Sequence, residues 1–213
     1  GEGECPPWAQ CYETLLSASA PIPASARGGD DMMGIFYTGG TTGFPKGVMQ
    51  SHRAIWASAM GGLPAFEMTR DTVYLHVAPM FHMADFCGSM GATLRCGSNV
   101  VLQSFDAGQV LDIIPERRIS HILIVPAMIK MVLNHPQAAG ADVSSLKALL
   151  YGASPMPAAT LEHCMQIWPS VGLVQVYGQT ELAPIATTLS IADHLAGGER
   201  LKSAGQPTAA VSY

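Results

Sequence analysis

The chain has 213 residues, 48 % hydrophobic and only 13 % charged, with a formal net charge of −5. That balance excludes a disordered chain and leaves room for one sizeable core or two small ones. An acidic chain with no basic block also argues against a nucleic-acid partner. Five cysteines (Cys5, Cys11, Cys87, Cys96, Cys164) form no Cys-x-x-Cys pair and no zinc spacing, and their odd number fits reduced thiols better than a disulfide framework. The sequence does not start as a secretory signal does, and no apolar run reaches the roughly 18 residues of a membrane span, so a cytoplasmic protein without a transmembrane segment is expected.

In chain order, residues 1–31 are rich in Gly, Pro, Ala and Ser and read as a linker with one short helix between Trp8 and Ala18. Met32 to Tyr37 is apolar and reads as a strand. It enters a glycine–threonine loop, after which Val48-Met49 resumes the apolar pattern. Ser51 is a good N-cap for a helix to about Ala65. Thr72 to Val77 reads as a strand, broken at Ala78-Pro79-Met80-Phe81-His82. A helix rich in small residues follows from Ala84 to Arg95, then a strand from Asn99 to Leu102. Asp106 caps a helix toward Arg118, in which Pro115 predicts a kink or an early end. The pattern continues with strand His121–Val125, a helix from Pro126, strand Leu146–Tyr151, helix Pro157–Trp168 and strand Val171–Tyr177.

This alternation predicts an α/β fold of βαβ units, with a largely parallel sheet covered by helices on both faces. The expected organisation is a linker (1–31), a strand pair with its helix (32–66), a parallel α/β subdomain (67–195) and the beginning of a further subdomain (196–213). The loops rich in glycine follow strand C-terminal ends, the edge where open α/β sheets bind ligands.

The loop Thr38-Gly39-Gly40-Thr41-Thr42-Gly43-Phe44-Pro45-Lys46 has the chemistry of a phosphate cradle. Glycines let the backbone approach a bulky anion and successive N–H groups can form a nest. Thr38, Thr41 and Thr42 add hydroxyls, and Lys46 adds a mobile cation. It is not the P-loop of nucleoside triphosphatases, because Pro45 precedes the lysine. By composition alone, a solvated turn is an equal reading. Near the other end, Tyr177-Gly178-Gln179-Thr180-Glu181 offers an aromatic face for a purine, a low backbone and oxygen ligands, with Glu181 suited to a Mg²⁺ that bridges phosphates. Alone, it reads more readily as a strand end followed by a helix cap. Gly152-Ala153-Ser154 alone is a strand-to-helix turn, and His82 alone is a structural histidine.

Taken together, these stretches resemble the adenylate-forming superfamily, which includes the acyl-CoA synthetases, the adenylation domains of peptide synthetases and firefly luciferase. The 38–46 loop matches that superfamily's phosphate-binding signature nearly residue for residue, and residues 177–181 repeat its Tyr-Gly-x-Thr-Glu motif. The resemblance runs from about Asp31 to Ala209 and implies that ATP and a carboxylic acid give an acyl-adenylate, whose acyl group then passes to a thiol, usually coenzyme A. It implies that Thr38 to Gly43 and Lys46 hold phosphates and that Gly152, Ala153 and Ser154 lie along the adenine and the acyl chain. Tyr177, Gly178 and Gln179 would bind the nucleotide, Thr180 would contact the α-phosphate and Glu181 would carry Mg²⁺. Lys46, His82, Thr180 and Glu181 are the expected catalytic set. The acyl- and aryl-CoA synthetases carry a Pro-x-Phe-His step with the His near the carboxylate, whereas amino-acid-activating relatives commonly have Asp there. His82 therefore implies an acid without an α-amine; a fatty acid is the first expectation, with medium or long fatty acids and aryl acids all open.

Asp85 departs from the small residue frequent at its place, and an acid there would narrow or polarise the substrate pocket. The expected alternatives are transfer to a carrier protein, or a non-catalytic nucleotide-binding module. The superfamily's ribose-binding Asp, hinge and C-terminal lysine are not matched in these 213 residues. The sequence thus reads as a piece of a longer enzyme, expected to bind nucleotide weakly and to turn over poorly by itself. His76, His121, His135, His163 and His194 are expected to be structural, with His163 and His194 on the surface. Met80, Met83, Met90 and Met156 are expected to fill core gaps.

Overall fold

The computed structural model describes residues 5–39 and 43–211. Its elements are α1 (Tyr12–Ala18), β1 (Met32–Thr38), β2 (Lys46–Ser51), α2 (His52–Phe66), β3 (Val73–His76), α3 (Met83–Leu94), β4 (Ser98–Val101), α4 (Ala107–Glu116), β5 (His121–Leu123), α5 (Pro126–Leu133), β6 (Ala148–Gly152), α6 (Ala158–Ile167), β7 (Gly172–Gly178), β8 (Ile185–Leu189), α7 (Ile191–Ala196) and β9 (Gln206–Pro207). A 3₁₀ turn, Thr180–Leu182, joins β7 to β8.

The main sheet has the order β4-β3-β5-β6-β7-β8-β9. The first five strands in that order are parallel, as the alternation predicts. Strands β8 and β9 run antiparallel and close one side. The sequence reading missed both. Ile185–Leu189 is short, follows a proline and lies directly behind the Thr180-Glu181 stretch that reads as a helix start, so no periodicity announces it.

Alternation along each strand sends side chains to two cores. On one face Leu75, Ile122, Leu149, Tyr151 and Leu173 meet α4, α5 and α6 through residues such as Val110, Ile129 and Leu161. On the other, Tyr74, Leu123, Leu150 and Val174 meet α2 and α3 through Leu63, Phe66, Cys87 and Ala92. With both faces covered, the central strands need no polar alternation. Ser51 caps α2 by accepting from the Ala54 N–H at 3.2 Å, and Asp106 caps α4 by accepting from the Gln109 N–H at 2.9 Å. Pro115 sits in the last turn of α4, which stops at Glu116.

Three buried histidines do structural work. His121 Nε2–H donates to the Phe66 carbonyl at 2.9 Å, and its Nδ1 lies 2.8 Å from the Ser120 hydroxyl. This ties the end of α2 to the start of β5. Contrary to the expectation of a surface residue, His194 is buried. Its Nδ1–H donates to the Ser190 carbonyl at 2.8 Å, so its Nε2 accepts from the Tyr151 hydroxyl, also at 2.8 Å. An amphipathic reading of the six-residue α7 could not place it. His76 is the third and pairs with Asp85. All five cysteines are free, with Cys87 and Cys164 buried. No helix among the described residues is long and apolar enough to cross a membrane.

Candidate active site

Because β3, β5, β6 and β7 run parallel, the residues that follow them emerge on one edge of the sheet. Gly152 pairs with Val176, so the ends of β6 and β7 are neighbours about 5 Å apart. A Cβ at Gly152 would overlap the Val176 carbonyl, and one at Gly178 would overlap the Pro184 carbonyl. Both glycines are therefore required by close backbone approach. After Gly152 the chain turns through Ala153 in the left-handed region (φ 64°), which leaves Ala153 and Ser154 exposed. After β7 it turns through the 3₁₀ segment to Ala183, also left-handed (φ 65°). Left-handed alanine costs on the order of 1 kcal/mol, and such positions gather where a loop's shape serves a ligand.

A register irregularity at Tyr177/Gly178, where β7 pairs with β8, re-aims the strand end. Tyr177 is half exposed, and Gly178, Gln179 and Glu181 are exposed beyond it. The turn is pinned from within: the Gln179 N–H donates to the Pro184 carbonyl at 3.0 Å and the Leu182 N–H to the Gln179 carbonyl at 2.9 Å.

The glycine–threonine loop sits at the tip of an antiparallel hairpin in which Thr38 pairs with Lys46. The Thr38 hydroxyl donates to the Lys46 carbonyl at 3.4 Å. Gly39, Gly43 and Lys46 are exposed, while Gly40, Thr41 and Thr42 lie outside the described residues. The hairpin meets the 177–181 turn directly: Gln50 Nε2–H donates to the Thr180 carbonyl at 2.5 Å. Lys46 lies four residues along β2 from this bond, about 13 Å.

The hairpin's inner face also packs on α3. The Phe36 and Phe86 rings approach to 5.4 Å between centroids, and Met33, Phe36, Phe86 and Met90 gather around buried Ile55, Met83 and Ala183. That small cluster joins four elements: the glycine–threonine hairpin, α2, the helix that His82 precedes and the turn that carries Thr180 and Glu181. Met83 and Met90 fill it, as core methionines do.

His82 is the N-cap residue of α3 and is exposed, its ring tilted against Phe81 at 4.5 Å. Its backbone N–H donates to the Pro79 carbonyl at 2.9 Å. The end of β3 lies three strands from β7 in the sheet, about 14 Å at the usual spacing.

Asp85 corrects an expectation. It is fully buried on the inner side of α3, with Oδ2 2.7 Å from His76 Nδ1. Sequence reading missed this pair because nothing in either residue's local pattern shows that the two face each other. It missed Gln50 for the same reason, although Gln50 is the one buried polar side chain of β2.

The residues present fit a nucleotide with its metal. They combine two glycines at close backbone approach, a half-exposed tyrosine at the strand end, an exposed lysine on the hairpin and one exposed carboxylate. Among the described residues no group of three metal-ligating side chains occurs. A lone Glu181 is what Mg²⁺ shared with phosphates requires, since that ion takes one or two carboxylates and keeps water and phosphate oxygens for the rest.

Comparison with known proteins shows the family. The family model described as AMP-binding enzyme matches residues 3–213. The medium/long-chain-fatty-acid–CoA ligase FadD8 of Mycobacterium tuberculosis is 34 % identical over 188 residues, which is 88 % of this chain and 32 % of that protein. A feruloyl-CoA synthase of an Amycolatopsis species is 36 % identical over 195 residues, 91 % of this chain and 39 % of that protein. Among solved structures, the O-succinylbenzoate coenzyme A synthetase of Bacillus subtilis in complex with ATP and magnesium superposes with a TM-score of 0.80 at 27 % identity, covering 92 % of this chain and 40 % of the other. The chain thus spans between about a third and two fifths of the length of these relatives.

Proposed function

This chain belongs to the AMP-binding enzyme family, and from that premise we propose that it carries the nucleotide- and acid-binding edge of an ATP-dependent acid–thiol ligase. The substrates in this reading are a carboxylic acid, ATP and coenzyme A. The hydrogen bond between Gln50 and the Thr180 carbonyl supports it most, because it fastens the phosphate hairpin to the turn that bears the nucleotide-facing residues.

The chain's own groups have distinct tasks. Tyr177 stacks on the adenine, and the backbone of Gly152, Ala153 and Ser154 lies beside it. The 38–43 loop and Lys46 bind the β- and γ-phosphates. Thr180 hydrogen-bonds the α-phosphate. Glu181 would hold Mg²⁺, which would supply positive charge against the phosphate oxygens. His82 faces the carboxylate. A transition state that gathers negative charge on phosphate oxygens is stabilised by donors fixed beforehand, and two β-strands and a capped helix provide such a frame.

The acid in this reading lacks an α-amine, because a histidine stands where an amine-binding acid would be needed. A fatty acid is favoured by the ligase FadD8 and an aryl acid by the feruloyl-CoA synthase. Delivery of the acyl group to a carrier protein rather than free coenzyme A is the second reading, and it keeps every role above.

Calorimetric titration with sulfamoyl-adenosine analogues tests the proposal. Dodecanoyl and cinnamoyl analogues are expected to bind at least tenfold more tightly than the leucyl analogue, and His82→Asp is expected to narrow that gap. Tighter binding of the leucyl analogue to the unmodified chain would overturn the acid assignment.

A further inference from the structure

Helix α3 begins without a side-chain cap: His82 occupies the N-cap position but its ring makes no bond to the helix backbone. What fastens this end of the helix lies one turn later. Asp85, fully buried, faces His76 at the end of β3 with 2.7 Å between Oδ2 and Nδ1, and His76 Nε2 lies 2.9 Å from Asn99 Oδ1 on β4. Both ring nitrogens thus face oxygen acceptors, an arrangement satisfied by an imidazolium that donates from each side. Burial disfavours that cation, but the bonds to Asp85 and Asn99 and the Asp85 charge outweigh it and hold the His76 pKa above its ordinary value.

The remaining ionisable groups nearby are neutral at working pH. Burial and the Asp85 charge push the Tyr74 phenol well up and raise the Cys87 thiol to about 12. One turn further, Gly88 lies so close over the Tyr74 ring that any Cβ would overlap the phenol oxygen. Helix α3 is therefore seated on β3 at two successive points, and the charged one is nearest its first residue.

We propose that Asp85 and His76 are a positioning pair for His82, a buried cross-tie that fixes where the N-terminus of α3, and with it the His82 ring, stands at the edge of the sheet. Neither residue touches substrate. The inference rests on the reading of His82 as the carboxylate-facing residue, and it explains why an acid occupies position 85 inside a helix otherwise lined there by small and apolar residues. Buried charge pairs are a costly way to stabilise a protein and are best attested where one arrangement must be selected over its neighbours.

The test uses the chain labelled uniformly with ¹⁵N and ¹³C. In the unmodified chain at pH 5.5, below the ordinary histidine value, both ring nitrogens of His76 are expected to be protonated, with Phe81 and His82 showing ring-to-ring NOEs. Asp85→Asn is expected to remove the second His76 proton, to speed amide exchange of residues 83–86 at least tenfold relative to α6, and to abolish the Phe81–His82 NOEs. Unchanged exchange and NOEs despite a neutral His76 would overturn the proposal.

Should Asp85→Asn not fold, Asp85→Glu keeps the charge one methylene further out. It is then expected to retain the His76 imidazolium while weakening the Phe81–His82 NOEs, and retained NOEs would overturn the proposal equally. Because no ligand enters these measurements, a failure of the acid assignment leaves their outcome unaffected, and the two can fail separately.

Discussion

His121 yields a prediction with a definite sign and size. Burial presses its pKa from 6.5 down to about 4, against a smaller opposing contribution from the Phe66 carbonyl. Protonation would give Nδ1 a proton that must displace the Ser120 hydroxyl hydrogen in a site with 1 % exposure. A folded imidazole that resists protonation leaves the unfolded chain to bind the extra proton. Stability is therefore full above about pH 6.5 and is lost as pH falls toward about 4.

With those two values, the linkage amounts to about 2 kcal/mol between pH 7.5 and pH 5, rising to about 3 kcal/mol at pH 4. Buried His194, also shifted down by burial, adds in the same direction. His76, shifted up by its partners, acts oppositely: its contribution is complete below pH 6.5 and is lost as pH rises through its folded value. A variant isolates His121. His121→Gln keeps an amide donor for the Phe66 carbonyl but cannot be charged. Urea unfolding at pH 7.5 and pH 5 should give the variant a pH dependence smaller by about 2 kcal/mol than the parent's. Equal dependence in the two proteins would refute the assignment of a neutral, buried His121.

Other expectations follow from close approaches and exposures. Gly178→Ala should cost at least about 3 kcal/mol in urea unfolding, because the new methyl overlaps backbone that cannot rotate away. Gly39→Ala meets nothing within 4 Å among the described residues and should leave stability within about 0.5 kcal/mol while weakening ATP binding roughly tenfold, a split that calorimetry and thermal melts read together. Gln50→Ala removes one of two hydrogen bonds to the half-buried Thr180 carbonyl, which keeps the Ala183 N–H, and should cost about 1 kcal/mol and roughly 2–4 °C in Tm. In a thiol-labelling assay under native conditions Cys5, Cys11 and Cys96 should react quickly, whereas Cys87 and Cys164, buried and raised to about 12, should react only on unfolding.

Much of this molecule could be read before any coordinate. The βαβ rhythm is written in continuous apolar strands such as Ile122-Leu123-Ile124 and in local caps such as Ser51 and Asp106, whose effects reach only three or four residues. Most element limits therefore fell within a few residues of those observed, and the stretches that carry the family resemblance stood out because backbone chemistry fixes their composition. What escaped was non-local. Strand β8 exists because β7 offers it an edge, not because Ile185–Leu189 announces it. His194 is buried because Tyr151, 43 residues away, needs an acceptor. Asp85 was read as a pocket residue because its partner, His76, lies on another element, and a single sequence does not show that the two meet. Gln50 likewise acquires meaning only once the hairpin is laid against Thr180.

The hairpin and the 177–181 turn are proposed to serve one triphosphate. Isothermal titration of ATP into the chain, with and without Mg²⁺, measures this directly in the unmodified protein, Lys46→Ala and Glu181→Ala. Mg²⁺-dependent binding in the unmodified chain that is lost in both variants is the predicted result. Binding indifferent to Lys46, to Glu181 and to the metal would contradict it and leave only a parallel α/β scaffold.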